Sequence, residues 1–158
     1  MARTSYVIGL GSNRRGRHGS PEREVRAAIE LLGGVVAASP IIASAPLGPS
    51  IRRFANAVAL IETHEAPPDL LDRLKAIEAA FGRRRGQRWG ARVIDLDIIL
   101  WSCGSWAGRG LIVPHPHFRE RAFVLGPMAA IVPTWRDPVT QRTVRQLAHV
   151  VDRRAPGP

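Results

Sequence analysis

The stretch Arg83-Arg-Arg-Gly-Gln-Arg-Trp-Gly-Ala-Arg-Val-Ile-Asp-Leu-Asp-Ile-Ile-Leu-Trp101 packs five arginines into ten residues, then sets two carboxylates two apart in an apolar run. In extended chain, side chains at i and i+2 point the same way, roughly 6–7 Å apart at the backbone. A strand over Arg92 to Trp101 therefore carries Asp95 and Asp97 on one face. Ile94, Leu96, Ile98 and Leu100 share the other face and can enter a core. Two acids in an apolar strand are costly unless they are paired or bound to metal. Their hard oxygens suit Mg²⁺, which keeps water and recruits substrate phosphates as its remaining ligands. A solvated strand face paired with arginines fits the spacing equally well.

Working outward, Thr4 to Leu10 reads as a first strand, closed by Gly9, Gly11, Ser12 and Asn13. Ser20 offers a helix N-cap, Pro21 suits the first helical position, and Glu22 and Glu24 complement the dipole. Val25, Ala28, Ile29 and Leu32 recur at helical spacing up to the Gly33-Gly34 stop. A second strand is expected over about Val35 to Ser44, bent near Pro40, and a third over Phe54 to Thr63. Pro67-Pro68 opens a second helix to about Phe81, with Leu70, Leu71, Leu74, Ile77 and Phe81 as its buried stripe.

Beyond the acidic strand, Cys103 to Gly110 reads as a glycine-rich turn and Leu111 to Val113 as a short strand. A short helix over about Phe118 to Leu125, a helical turn around Pro127 to Ile131 and a last helix over Thr143 to Val151 complete the chain. The order β-α-β-β-α-β with a C-terminal helical extension is the ferredoxin-like α+β arrangement, an antiparallel sheet with helices packed on it. Residues 1–158 are read as a single domain, with 153–158 a frayed tail.

A chain of 158 residues, 45% hydrophobic, can bury a sizeable core and is not generally disordered. No run is long and apolar enough for a bilayer, and the first residues lack a signal-peptide pattern. One cysteine, Cys103, permits no internal disulfide, so a cytoplasmic location and a structural role for Cys103 are expected. The net charge is +10, and arginine supplies 22 of the 23 basic residues. Guanidinium suits bidentate phosphate contacts, but charge alone does not choose between small phosphates and nucleic acid.

Arg83, Arg84, Arg85, Arg88 and Arg92, interleaved with Gly82, Gly86 and Gly90, strengthen the phosphate reading of the acidic pair, with a solvated basic loop as the plain alternative. Phosphoryl transfer depends largely on positioning and charge neutralisation, which arginines with Mg²⁺ supply. Trp89 prefers a face on which to stack. No P-loop motif is present, and Gly9-Leu-Gly-Ser-Asn13 reads as a structural turn. His115 and His117 read as neighbours of phosphate, with Arg119 and Arg121 extending the cationic set. His18, His64 and His149 read as surface residues. Phe54 and Phe123, flanking the amide of Asn56, can hold a flat heterocycle, although core packing is the simpler use of two phenylalanines.

The segment Arg88-Trp-Gly-Ala-Arg-Val-Ile-Asp-Leu-Asp97, with Gly11-Ser-Asn13, Pro46-Leu-Gly48, Phe54-Ala-Asn56 and Val113-Pro-His-Pro-His-Phe-Arg-Glu-Arg-Ala-Phe123, resembles 6-hydroxymethyl-7,8-dihydropterin pyrophosphokinases of folate biosynthesis. The resemblance implies transfer of pyrophosphate from ATP to the pterin hydroxymethyl oxygen with release of AMP. It implies two Mg²⁺ ions on Asp95 and Asp97, with Arg83 and Arg92 assisting the transfer. Lys75, Glu78, Arg83, Arg85, Arg88, Arg92, Ile98, His115 and Arg121 would serve ATP. Ser44, Ala45, Leu47, Phe54, Asn56, Trp89, Asp95 and Phe123 would serve the pterin. A monomer with no nucleic-acid or membrane partner is implied. Ala91 stands where the signature has proline, and the Gly48 to Phe54 segment is shorter than in relatives. A relative with altered specificity and a basic nucleic-acid-binding module of the same topology are the alternatives.

Overall fold

The computed structural model describes residues 2–44, 54–82, 92–108 and 110–154. Strand β1 (Thr4–Ser12) is followed by α1 (Pro21–Leu32), β2 (Val35–Ala38), β3 (Ile42–Ser44), β4 (Phe54–Thr63) and α2 (Pro67–Phe81). Then come β5 (Asp95–Trp101), β6 (Trp106–Gly108), β7 (Leu111–Val113), a 3₁₀ turn (Phe118–Glu120), α3 (Ala122–Ile131) and α4 (Val144–Arg154). The main sheet is antiparallel throughout, in the order β2-β4-β1-β5, with β3 pairing the opposite end of β4. This is the α+β arrangement that the element order predicts.

Local chemistry sets the helix starts. Ser20 caps α1 by accepting the N–H of Arg23, with Pro21 in the first position. At α4, Thr143 Oγ1 accepts from Gln146 N at 3.1 Å while Gln146 Oε1 accepts from Thr143 N at 2.9 Å. That reciprocal pair is a capping box. α4 extends through Arg154, and the remaining tail lies outside the described residues.

Strand alternation divides the sheet between two cores. Tyr6, Ile8 and Leu10 of β1 join Ala55, Ala57, Ala59 and Ile61 of β4 beneath α1 and α2. Val7, Val58 and Ile99 face the other way, against Phe118 and the apolar faces of α3 and α4. The C-terminal extension is therefore a second layer that covers the other face of the sheet.

Several expectations are corrected. β1 runs on through Ser12, so Gly9 and Gly11 are strand residues rather than parts of a turn. The expected second strand is two strands, β2 and β3, each pairing with β4 on either side of Pro40. β5 begins at Asp95, with Arg92 to Ile94 outside the regular strand. Residues 106–108, read as turn, form β6 and pair with β7, because a partner strand supplies the hydrogen bonds that their own sequence does not announce. α3 continues through Pro127, where burial of Val124, Leu125 and Met128 offsets the cost of the missing N–H, about 3 kcal/mol in a helix interior.

The register carries one further correction. Ile8 pairs with Ile98 but Val7 pairs with Leu100, so Ile99 is an extra residue opposite β1. A bulge of this kind resets the alternation. Ile94, Leu96 and Ile98 enter the first core as expected, whereas Leu100 joins Ile99 in the second.

Candidate active site

Asp95 and Asp97 stand on the same face of β5, opposite Gly11 and Gly9 respectively. That face opens into a cleft of about 220 Å³ whose lining includes Phe54, Asn56, Asp95, Asp97, His115, Phe118, Arg121 and Phe123. The floor depends on two glycines. A Cβ on Gly11 would lie 3.1 Å from Asn56 Oδ1, and one on Gly9 would lie 3.2 Å from Ile99 Cδ1. Both glycines thus keep the strand flat against the space above it, a role their reading as a turn missed.

A second cleft, of about 400 Å³, lies on the other side of Asp97 and His115. Its lining includes Lys75, Glu78, Arg92, Ile98, Leu111 and Ile112, and it shares Asp97 and His115 with the first cleft. One space is walled by phenylalanines and an amide, the other by cations and apolar side chains. Asp97 and the His115 imidazole stand between them, and Asp95 lines the first alone.

Glu78 sets much of the electrostatics. It is nearly buried, accepts Arg92 Nη1 on Oε1 at 2.8 Å, and accepts the backbone N–H of Leu96 on Oε2 at 2.8 Å. Burial, then Glu78 and then Asp97 push the Asp95 carboxyl above its ordinary value, with Arg92 pulling the other way. Excess negative charge is thus concentrated where a cation would relieve it.

His115 is held by its backbone N–H to Ile99 O at 3.0 Å. Burial holds its imidazole below the ordinary histidine value; Asp97 opposes this, while Arg121 and His117 add to it. His117 N donates to His115 Nδ1 at 3.1 Å, so the neutral ring carries its proton on Nε2. Arg121 lies over the Phe123 ring, 5.8 Å from its centroid.

Among the described residues no cluster of three or more His, Cys, Asp or Glu can hold a metal. Two carboxylates leave most of a coordination sphere to water and phosphate oxygens, which matches the habit of Mg²⁺.

Of the residues singled out in the sequence, Phe54, Asn56, Asp95, Asp97, His115, Arg121 and Phe123 meet in the first cleft. Lys75, Glu78, Arg92 and Ile98 meet in the second, with Asp97 and His115. The backbone of Ser44 pairs with Phe54 at the rim. Ala45, Leu47, Arg83, Arg85, Arg88 and Trp89 lie outside the described residues. Phe118 was missed as a lining residue, since nothing in its local pattern separates it from an ordinary helix start. Arg119 does not join the cationic set, because its guanidinium is committed to Asp137 at 2.5 and 2.8 Å. His18 is exposed yet anchored, with Nδ1 2.7 Å from the buried Glu24.

A family model for 7,8-dihydro-6-hydroxymethylpterin-pyrophosphokinase matches residues 7–133. The chain belongs to that family. The 2-amino-4-hydroxy-6-hydroxymethyldihydropteridine pyrophosphokinase of Pseudomonas aeruginosa is 43% identical over 144 residues, covering 87% of this chain and 86% of that one. Its counterpart in Synechocystis sp. is 33% identical over 158 residues, covering 92% of this chain and 75% of that one.

Among solved structures, Plasmodium falciparum HPPK-DHPS A437G with pteroate superposes with a TM-score of 0.73 at 12% identity, covering 94% of this chain and 41% of that one. The same protein with SDX-DHP gives 0.76 at 14% identity, covering 94% and 45%. At such identity the likeness speaks for the ferredoxin-like fold, and this chain spans less than half of those longer chains. Every residue placed in the two clefts falls inside the stretch that the family model matches. These similarities do not favour the nucleic-acid-binding alternative.

Proposed function

We propose that this chain transfers the pyrophosphoryl group of ATP to the hydroxymethyl oxygen of 6-hydroxymethyl-7,8-dihydropterin, a step of folate biosynthesis. The observation that carries the reading is the position of Asp97 and His115 in the shared wall of an aromatic cleft and a cationic cleft. Two substrates that must meet at one phosphorus need such a wall, and membership of the pyrophosphokinase family supplies their identity. The reaction joins the pterin hydroxymethyl oxygen, which gives up its proton to solvent, to the β-phosphorus and breaks the bond from that phosphorus to the bridging oxygen, which leaves on AMP.

In this reading the pterin ring lies against Phe54, Phe118 and Phe123, with the Asn56 amide at its polar edge. Ser44, Ala45, Leu47 and Trp89 complete that side. Lys75, Glu78, Ile98 and Arg92 form the nucleotide side, with Arg83, Arg85 and Arg88 closing on the phosphates. His115 donates from Nε2 to a phosphate oxygen, and Arg121 leaves the Phe123 ring for the transferring group. Asp95 and Asp97 would hold two Mg²⁺ ions; the raised pKa of Asp95 and the two-carboxylate donor set both fit a divalent, oxygen-seeking cation. Bound magnesium supplies neutralisation of the phosphate charge during transfer.

Residues 1–158 act as one domain, a cytoplasmic monomer whose partners are these two small molecules. No described helix is long and apolar enough to cross a membrane.

A coupled assay for AMP with ATP, Mg²⁺ and the hydroxymethyl-dihydropterin tests the proposal. Turnover is expected, with Asp95→Ala and Asp97→Ala each lowering it by a factor on the order of a thousand while the chain stays folded. Full activity in both variants would refute the metal assignment, and no AMP from the unmodified chain would refute the reaction.

A further inference from the structure

His115 and Arg121 are joined by a weak piece of backbone. The 3₁₀ turn between them is closed by Phe118 N to His115 O at 3.4 Å, Glu120 N to His117 O at 3.2 Å and Arg121 N to Phe118 O at 3.3 Å. Short 3₁₀ segments have poor hydrogen-bond geometry and hold their shape through outside contacts. Here the outside contact is Arg119. Its Nε and Nη2 meet Asp137 Oδ2 and Oδ1 at 2.5 and 2.8 Å, a bidentate pair, and its guanidinium lies 4.7 Å from the centroid of the Phe118 ring.

Asp137 is built to receive it. The carboxylate is fully buried, and its oxygens also accept Val139 N at 3.0 Å and Thr140 Oγ1 at 2.8 Å. The surrounding turn is closed by Asp137 N to Arg142 O at 2.9 Å and Gln141 N to Asp137 O at 2.8 Å. Val144 N to Trp135 O, at 2.8 Å, fastens that turn to the start of α4. The result is a rigid socket. Asp137 lies beyond the end of the stretch that the family model matches, and it touches neither cleft.

We propose that Asp137, acting through Arg119, is a positioning residue for the phosphate-binding turn. The pair fixes the height and rotation of the turn from which His115, Phe118 and Arg121 enter the site. It also withdraws one cation from the substrate, leaving Arg121 as the arginine of the turn that lines the cleft. Displacement of reacting groups by about 1 Å can cost on the order of a hundredfold in rate, so a loosened turn is felt in the chemical step. A fork of two parallel hydrogen bonds fixes orientation in a way that a point charge does not.

The inference rests on the pyrophosphokinase reading, and the test separates the two. AMP formation and amide hydrogen exchange are measured, well below the melting transition, for the unmodified chain and for Asp137→Asn, Arg119→Gln and Arg119→Lys. The two neutral variants are expected to keep the near-ultraviolet circular dichroism of the folded chain. Their kcat is expected to fall at least tenfold with both KM values changed less than threefold, and exchange should rise at residues 117–121 only. Arg119→Lys keeps the charge without the fork and should recover part of kcat. Unchanged kcat with only a lower Tm would overturn the proposal, as would exchange that rises across both cores. If the unmodified chain makes no AMP, the reaction reading fails; exchange confined to 117–121 would then still support the mechanical link, and unaltered exchange there would overturn it.

Discussion

Glu78 holds Arg92 with one carboxylate oxygen and the backbone of Leu96 with the other, both at 2.8 Å. One buried acid on α2 thereby ties the approach to β5 to the strand that carries Asp95 and Asp97. Glu78→Ala would leave the buried Leu96 N–H without its acceptor, at a cost of about 1–3 kcal/mol. Glu78→Gln keeps an acceptor and should lose less. Urea unfolding of the two variants gives the comparison, and equal midpoints would show that the backbone contact contributes little.

Under the proposed metal assignment, the same carboxylate shapes the pH response of metal binding. Asp95 is raised by burial, Glu78 and Asp97, so the folded chain holds that proton to a higher pH than the unfolded chain does. The associated stability is present below the ordinary carboxylate value and is lost as pH rises through the raised one. A cation competes with that proton. Mg²⁺ binding, in the presence of a non-hydrolysable ATP analogue, should tighten as pH rises through this range and release protons in mild acid. Glu78→Gln should shift the profile to lower pH. Calorimetry in two buffers of different ionisation enthalpy reads the protons directly, and no proton release in mild acid would contradict the assignment.

Gly11→Ala should act on one substrate. Its methyl would stand 3.1 Å from Asn56 Oδ1, on the floor of the aromatic cleft and away from the cationic one. The pterin KM is expected to rise by roughly tenfold, about 1.4 kcal/mol, with the ATP KM little changed. Equal effects on both substrates would mean that the substitution had moved the sheet.

Gly16→Ala tests the loop ahead of α1. A Cβ there would meet Glu24 Oε1 at 2.5 Å and Val93 Cγ1 at 2.6 Å. Glu24 is fully buried and accepts both the backbone N–H of His18 at 2.7 Å and the contact from its ring. The His18 ring in turn lies 4.8 Å from that of Phe81 at the end of α2. Overpacking so tight a site should cost about 1–3 kcal/mol. Thermal unfolding measures it, and an unchanged Tm would show that Glu24 swings aside freely.

Acid should unfasten the Asp137 socket. Burial alone would raise that carboxyl, but the hydrogen bond from Arg119, the Val139 N–H and the Thr140 hydroxyl outweigh it and hold it at about 2, below the ordinary 3.8. The stabilisation is present above the ordinary value and is lost as pH falls toward about 2. A shift of that size corresponds to roughly 2 kcal/mol. Stability measured against pH should fall less steeply over this window in Asp137→Asn than in the unmodified chain.

The first two helices and the shared face of Asp95 and Asp97 were legible because their signals are local. Ser20, Pro21 and the Gly33 stop bound α1, and Pro67 with Gly82 bounds α2, because caps and breakers act within a turn of the residues they control. The two-residue period that places Asp95 beside Asp97 belongs to any extended backbone. The bulge was not legible. Whether Leu100 follows Ile98 or Ile99 depends on how β5 registers against β1, and that is set by a strand some ninety residues away in sequence. Likewise β6 exists because β7 returns beside it.

Arginine was the least readable residue type, since its charge is the same wherever it goes. Arg92, Arg119 and Arg121 look alike in a cationic count, yet one pairs with Glu78, one with Asp137 and one lies over Phe123. Sequence by itself determined the carboxylate pair, the boundaries of α1 and α2, and the family to which the chain belongs. Only the tertiary structure decided that Asp97 and His115 share a wall between two clefts, and that Arg119 pairs with Asp137 instead of lining either cleft. Periodicity and capping are short-range consequences of backbone geometry, whereas the partner of a long charged side chain is chosen by which elements pack together.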